Sequence, residues 1–462
     1  MNDRRRSSCE RAALASVCFT LALCVAPGAA SRAASVGQNA PVQVAASQAA
    51  VQQLQNGLTI VTRRAGAAPV AALEIWVRCP ANDYDGSRPG IARLAALALL
   101  EEKSQTSLSL RDATRIAGGH IAISVYAEST EIAILAPSYA ASALLDKLSA
   151  TIAKGYVDQA AFDTGRTRLA AGQVAAGDVA DQELRDVLFS QLFASGPLRD
   201  STYGTPKALR DMTLGDVTKF IGRAYVPADE VVVAVGDVDE QDVTRHLSAF
   251  PGTNSVAQTM PASPVASYGA APFAIHKEQN STAGVGMAWI GPPIMDERAA
   301  TAMDFLSDYL TDPSGGTLTK TIAAIDSDAD FNGQFITLRN PGVFFLTASG
   351  TKFDIATLPQ AIRTALQASI GHQLSKGEFE RARAAYITHL LRDMQSVQGL
   401  ADNYGWYYAQ GALAYSPSAT TVALGGDYFA QVSSLTPDFV YSVARKYLLG
   451  TPAVVILPRS TK

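Results

Sequence analysis

One pattern occurs twice in this chain, and it constrains the fold more than any other feature. Thr213…Asp216…Arg223-Ala224-Tyr225 is followed by Val231-Val232-Val233. Much later, Thr436…Asp438…Arg445-Lys446-Tyr447 is followed by Val454-Val455-Ile456. The steps from Asp to Arg to Tyr are the same in both copies. A Thr cap, an early Asp and a late Arg are the signals of a helix start and stop, and the β-branched run after them reads as a buried strand. Phe162 to Leu169 parallels Phe379 to Tyr386 in the same way. Self-similarity of this kind implies a duplicated supersecondary unit, and 462 residues leave room for two domains built from it.

The elements come in a matching order. In the first half, strands are expected at Leu58 to Thr62, Ala71 to Val77, His120 to Tyr126, Glu131 to Leu135 and Val231 to Val235. Helices are expected at 90–102, Ser109 to Ala117, Ala140 to Lys154, Gln159 to Val174, Ala180 to Phe193 and Thr213 to Tyr225. The Pro/Ala/Ser-rich stretch from Pro251 to Pro272 has no period and reads as a linker. The order then starts again. Strands are expected at Ala283 to Trp289, Val343 to Ser349 and Ala453 to Leu457. Helices are expected at Glu297 to Leu310, Ile355 to Ile370, Lys376 to Asp393 and Thr436 to Tyr447. The fold class is α+β, with two homologous domains, each a mostly antiparallel sheet backed by helices.

The amino terminus reads as a secretory signal. Arg4-Arg5-Arg6 and Arg11 precede the apolar run Ala12 to Ala26, and Pro27 to Ala33 offers small residues for cleavage. The run is short for a membrane span, so no stable span is expected after cleavage. The divisions are thus 1–33 as signal and cleavage region, 34–50 as a flexible linker, 51–252 as the first domain, 253–272 as the interdomain linker and 273–462 as the second domain. Cys9, Cys18 and Cys24 fall inside the signal. Cys79 then stands alone, which excludes an internal disulfide and a cysteine-based zinc site, and it is expected to be a small buried hydrophobe. A net charge of -4 gives no electrostatic case for nucleic acid.

The residues that carry a family resemblance lie ahead of the 90–102 helix. They are Gln55-Asn56-Gly57-Leu58-Thr59-Ile60-Val61, then Pro69 to Arg78, then Gly86-Ser87-Arg88-Pro89-Gly90-Ile91-Ala92. Their order resembles the amino-terminal domain of the pitrilysin/insulinase (M16) zinc metallopeptidases. The resemblance implies the two-domain architecture above. It also implies a His-x-x-Glu-His motif on the following helix, in which two imidazoles one turn apart hold zinc and the Glu takes a proton from the metal-bound water. Here Arg93, Ala96 and Leu97 stand at those positions. A guanidinium stays protonated and repels a cation, and Ala and Leu offer no donor. The family's third ligand is a Glu from a later helix, but Phe162 to Val179 contains none. We therefore expect no catalytic residue and no metal ligand in this chain, and peptide-binding residues stay unassigned.

Other candidates are weaker. Glu101 and Glu102 are expected at a solvated helix end. His120, His246, His276, His372 and His389 are not at ligand spacing. Where the family usually carries Asn-Ala on a substrate-pairing strand, Ala122-Ile123 stands. Bacterial two-chain members hold substrate with an Arg and a Tyr from the second type of chain. By register, Ala323 and Asp330 occupy those places, and Lys320 could reach inward. No Gly-x-Ser-x-Gly elbow occurs.

The resemblance implies a non-catalytic subunit of a secreted M16-type zinc metallopeptidase complex. It would form part of a peptide-binding chamber with an active M16 partner in a heterodimer, taking unfolded or extended peptides. No cofactor is expected on this chain, zinc being held by the partner, and the location is periplasmic or secreted. The alternatives are a zinc metalloendopeptidase acting through unrecognised ligands and a stand-alone homodimeric peptide-binding protein.

Overall fold

The computed structural model describes residues 47–460 except 104–107, 178, 249–255, 270, 276, 278–279, 340, 414–420 and 425. The expected signal at 1–33 and the beginning of the expected linker lie outside the described residues.

The strands are β1 (Ser47–Gln53), β2 (Thr59–Arg64), β3 (Val70–Val77), β4 (His120–Val125), β5 (Thr130–Pro137), β6 (Glu230–Gly236), β7 (Phe273–Ala274), β8 (Ala283–Gly291), β9 (Asp330–Ile336), β10 (Gly342–Gly350), β11 (Thr421–Leu424) and β12 (Ala453–Leu457). They form two sheets, ordered β11-β1-β2-β6-β3-β5-β4 and β7-β12-β8-β10-β9. Pairing is antiparallel except for β2 with β6 and β7 with β12. The repeated strands take equivalent places: β6 lies antiparallel on β3, and β12 lies antiparallel on β8. The α+β fold of two sheets backed by helices therefore stands. β1 begins at Ser47, inside the segment 34–50 read as linker, because it pairs on both sides, with β2 and β11.

The helices used below are α1 (Ile91–Glu101), α2 (Gln159–Gly177), α3 (Ala180–Leu192), α4 (Leu214–Ala224), α5 (Glu297–Thr311), α6 (Lys376–Asp393), α7 (Val397–Gln410) and α8 (Pro437–Tyr447). The repeat explains two of them directly. α4 starts at Thr213, whose side chain accepts from the Asp216 amide while Asp216 reaches back, a full capping box. α8 starts at Thr436, whose side chain accepts from Phe439 N.

Each sheet is buried on both faces, so its central strands are continuous apolar runs without alternation. One face of the first sheet packs on α1, α2 and α4 of its own half. Its other face, with Val61, Trp76 and Val233, packs on Leu400, Ala401 and Tyr404 of α7, which belongs to the second half. The second sheet is covered reciprocally. Val455, Phe345 and Ala288 meet Leu184, Leu188 and Leu192 of α3, which belongs to the first half. The halves thus exchange a helix across the segment at 253–272. Residues 264–266 of that segment run against the end of α3, where Ala266 N donates to Leu192 O (2.8 Å) and Ala194 N donates to Pro264 O (2.9 Å). Among the described residues, no helix is long and apolar enough to cross a membrane.

Candidate functional site

The α1 face on which the metal motif would fall is built by a glycine contact. Gly90 caps α1 in a left-handed conformation (φ 89°), and Gly204 is also left-handed (φ 67°). A Cβ on Gly204 would lie 2.1 Å from the Pro89 carbonyl oxygen, and one on Gly90 would lie 2.8 Å from the Tyr203 carbonyl oxygen. Only glycine at both positions lets the 200–204 loop lie on the start of the helix.

That contact brings Tyr203 over Arg93. The guanidinium carbon is 3.9 Å from the ring centroid. Arg93 Nε donates to Thr202 O (3.3 Å) and Nη2 to Thr202 Oγ1 (3.2 Å). From α2, Gln173 Nε2 donates to Tyr203 O (2.9 Å). Burial lowers the Arg93 pKa and Arg185 adds to this, while Tyr203 and Asp186 oppose it. Ala96 is wholly buried, and Leu97 packs against the core. α2 lies so close to α1 that a Cβ on Gly165 would come within 2.9 Å of Ala98 N. A guanidinium, a methyl group, an isobutyl group and an amide cannot serve as a tetrahedral zinc donor set. These residues do not fit the ion that the family resemblance implies.

One expectation is corrected here. Glu101 and Glu102 are not at a solvated helix end. Glu101 Oε1 takes Arg111 Nε (2.6 Å) and Arg168 Nε (2.9 Å). Glu102, 3% exposed, is bound by Lys154 Nζ and accepts from Asp158 N (2.6 Å). Distant basic groups, invisible in local sequence, fold back on the end of α1.

The remaining candidates are scattered. Cys79 is buried beside Thr130, and burial pushes its thiol up to about 12, so it is inert. His120 and His372 are exposed. His246 meets Asp146 (2.7 Å), and His389 lies between Asp308 (2.8 Å) and Asp312 (3.8 Å), an acidic group with ligand atoms within 4.8 Å of one another. His276 lies outside the described residues. Lys320, Ala323 and Asp330 are all exposed.

Two features were not read from the sequence. One is a pocket between the halves, lined by Val125, Tyr126, Arg185, Phe189, Leu338 and Trp406. Thr202, which holds Arg93, also lines it. β4 ends at this pocket and is the edge strand of the first sheet, so among the described residues one of its sides carries no ladder partner. The other feature is a group of three carboxylates, Glu74, Glu131 and Asp402, treated below. Glu74 stood in plain view inside an apolar strand, and an unpaired acid there was the one available signal.

The fold is an α+β arrangement of two helix-backed sheets, and the α1 face at Arg93, Ala96 and Leu97 offers no zinc donor. The comparisons agree. Residues 211–386 match the family model described as the peptidase M16 inactive domain. Over 426 residues, 88% of this chain and 77% of the relative, the chain is 22% identical to the probable mitochondrial-processing peptidase subunit beta of Arabidopsis thaliana. Its fold is shared with a protease from Helicobacter pylori (TM-score 0.77, 18% identity, 89% of this chain and 99% of that one). It is also shared with the peptidase M16 inactive domain from Pseudomonas fluorescens (TM-score 0.72, 16% identity, 89% and 98%). The resemblance to the M16 (pitrilysin/insulinase) family stands, in a form that lacks the zinc motif.

Proposed function

We propose that this chain is a non-catalytic subunit of a secreted or periplasmic M16-type zinc metallopeptidase complex. It pairs with a zinc-bearing homologue and contributes chamber wall and a surface for extended peptide. The observation that carries the reading is Arg93. At the position matching the family's first ligand it is held by Tyr203 and Thr202, which supports a packing role there in place of a metal-binding one. The edge strand β4, whose last residue Val125 lines a pocket with Arg185 and Asp186 as well as Phe189 and Trp406 on its wall, supports the peptide-surface part of the reading. An extended chain can add there as a further strand.

The test assays the full chain alone and mixed with a zinc-motif homologue from the same cell, on an unfolded polypeptide with added zinc. The expected result is no zinc and no cleavage alone, and raised activity in the mixture. Chelator-sensitive cleavage by the chain alone would overturn the reading. A stable homodimer that leaves the homologue's activity unchanged would favour a stand-alone peptide-binding protein.

A further inference from the structure

Glu74, Glu131 and Asp402 come from three elements and both halves of the chain. Glu74 and Trp76 lie on the same face of β3, and Glu131 of β5 is the direct cross-strand partner of Trp76. The three side chains therefore share the face that α7 covers, and α7 supplies Asp402. α7 comes this close because residue 405 is glycine: a Cβ there would lie 2.0 Å from Trp76 Nε1. One carboxylate oxygen from each acid lies within 4.8 Å of the other two.

The charge balance of this group is unusual. Glu74 is 0% exposed and Glu131 4%. Trp76 Nε1 donates to Glu74 Oε2 (2.8 Å), no N–H or O–H donor reaches Glu74 Oε1, and the Asp402 carboxyl lies against those of Glu74 and Glu131. Among the described residues, no Lys, Arg or His forms an ion pair with any of the three acids. Buried carboxylates without a counter-charge are strongly unfavourable, so something must neutralise them.

We propose that Glu74, Glu131 and Asp402 form a binding site for a calcium-sized divalent cation that ties the two halves of the chain together. Hard carboxylate oxygens select hard cations over zinc or copper. Calcium–oxygen distances near 2.4 Å put ligand oxygens up to about 4.8 Å apart, and these three oxygens lie within that limit. The fully buried Glu74 Oε1, which no N–H or O–H donor of the protein reaches, is the oxygen left over for an ion. Asp402 is only half-buried, which gives an ion a way in and room for water. Ser124 is hydrogen-bonded to Glu131 and steadies it from the neighbouring strand.

The site carries its own reporter. Trp76 stacks on Tyr126 (centroids 5.6 Å, 9° between planes) and meets Trp406 edge-on (6.2 Å). The experiment titrates calcium chloride, and separately manganese and magnesium chloride, into the chelator-treated full chain. It follows heat, tryptophan emission and melting temperature. The expected result is one calcium bound per chain, a change in tryptophan emission and a raised melting temperature. Asp402→Asn and Glu131→Gln should each weaken binding at least ~100-fold, while Asp308→Asn, in the other acidic group, leaves it unchanged. Melting of each variant without calcium shows whether it is folded. Absence of binding overturns the proposal, as does binding that survives D402N and E131Q. Loss of binding in D308N would place the ion beside His389 instead. A tryptophan signal that follows pH and ignores calcium would show that protons alone neutralise the group, and would also overturn the proposal.

Discussion

The Arg93 guanidinium lies over the Tyr203 ring, its carbon 3.9 Å from the centroid, with the Thr202 carbonyl holding Nε. The contact converts a ligand position into a packing position. Arg93→Ala should lose the cation–π contact and two hydrogen bonds, and destabilise the chain by about 1–3 kcal/mol. Arg93→Lys keeps the charge but not the flat fork, and should recover less than half of this. Urea unfolding of both variants checks the order.

Arg93→His with Ala96→Glu and Leu97→His restores the family's motif in sequence only. Ala96 is wholly buried, so a Glu there overpacks α1. α2, the helix on which the family's third ligand is expected, contains no Glu. The triple variant should bind less than one zinc per chain and remain without peptidase activity. Metal analysis after dialysis, with an activity assay, checks this.

Glu102 is bound by Lys154 and by the Asp158 amide at the end of α1. Glu102→Ala leaves an ammonium and an amide without their acceptor. It should cost about 2–3 kcal/mol, more than an exposed ion pair would. Lys207→Ala, whose partner Asp211 is on the surface, is the control and should lie within ~0.5 kcal/mol of the parent.

Gly405→Ala puts a methyl group against the Trp76 indole. Overpacking of this kind costs about 1–3 kcal/mol, and here it acts on the contact between α7 and the first sheet. Hydrogen exchange should show loss of protection in α7 before loss in β12 or α8.

The carboxylate group sets a pH dependence in chelated protein. Burial is the first cause that raises Glu74, Glu131 and Asp402, and Glu131 is pushed up to about 8. The native state then holds protons that the unfolded chain has released. Stability from this group is therefore full below the ordinary carboxylate range and falls as pH rises towards about 8. Melting temperature should fall from pH 5 to pH 8.5. Glu131→Gln should remove up to about 1.4 kcal/mol per pH unit of that slope. Glu230, also pushed up to about 8 by burial, and Asp304, pushed up to about 6, leave a residual slope of the same sign.

The fold was legible where local chemistry is decisive. Lys376 to Asp393 was read as a helix with the observed bounds, because Ser375 caps it and its first and last turns carry the matching charges. β9 was not read, since Asp330 to Ile336 has polar and glycine positions, and its partner β10 makes it a strand. α7 was missed because its Gly, Asn and Tyr residues weaken the helical period, and the first sheet supplies the burial that stabilises it.

The sequence by itself determined the duplication and the lack of zinc donors at positions 93, 96 and 97. Both follow from residue identity: spacing survives in a linear string, and an Arg, an Ala and a Leu cannot become metal ligands in any fold. Tertiary structure alone decided what replaced the lost chemistry. Tyr203 reaches Arg93 across a glycine contact, α3 and α7 each cover the other half's sheet, and Asp402 meets Glu74 and Glu131 from far along the chain. Those meetings depend on which apolar faces bury together, and burial is a property of the whole packed chain rather than of any stretch of it.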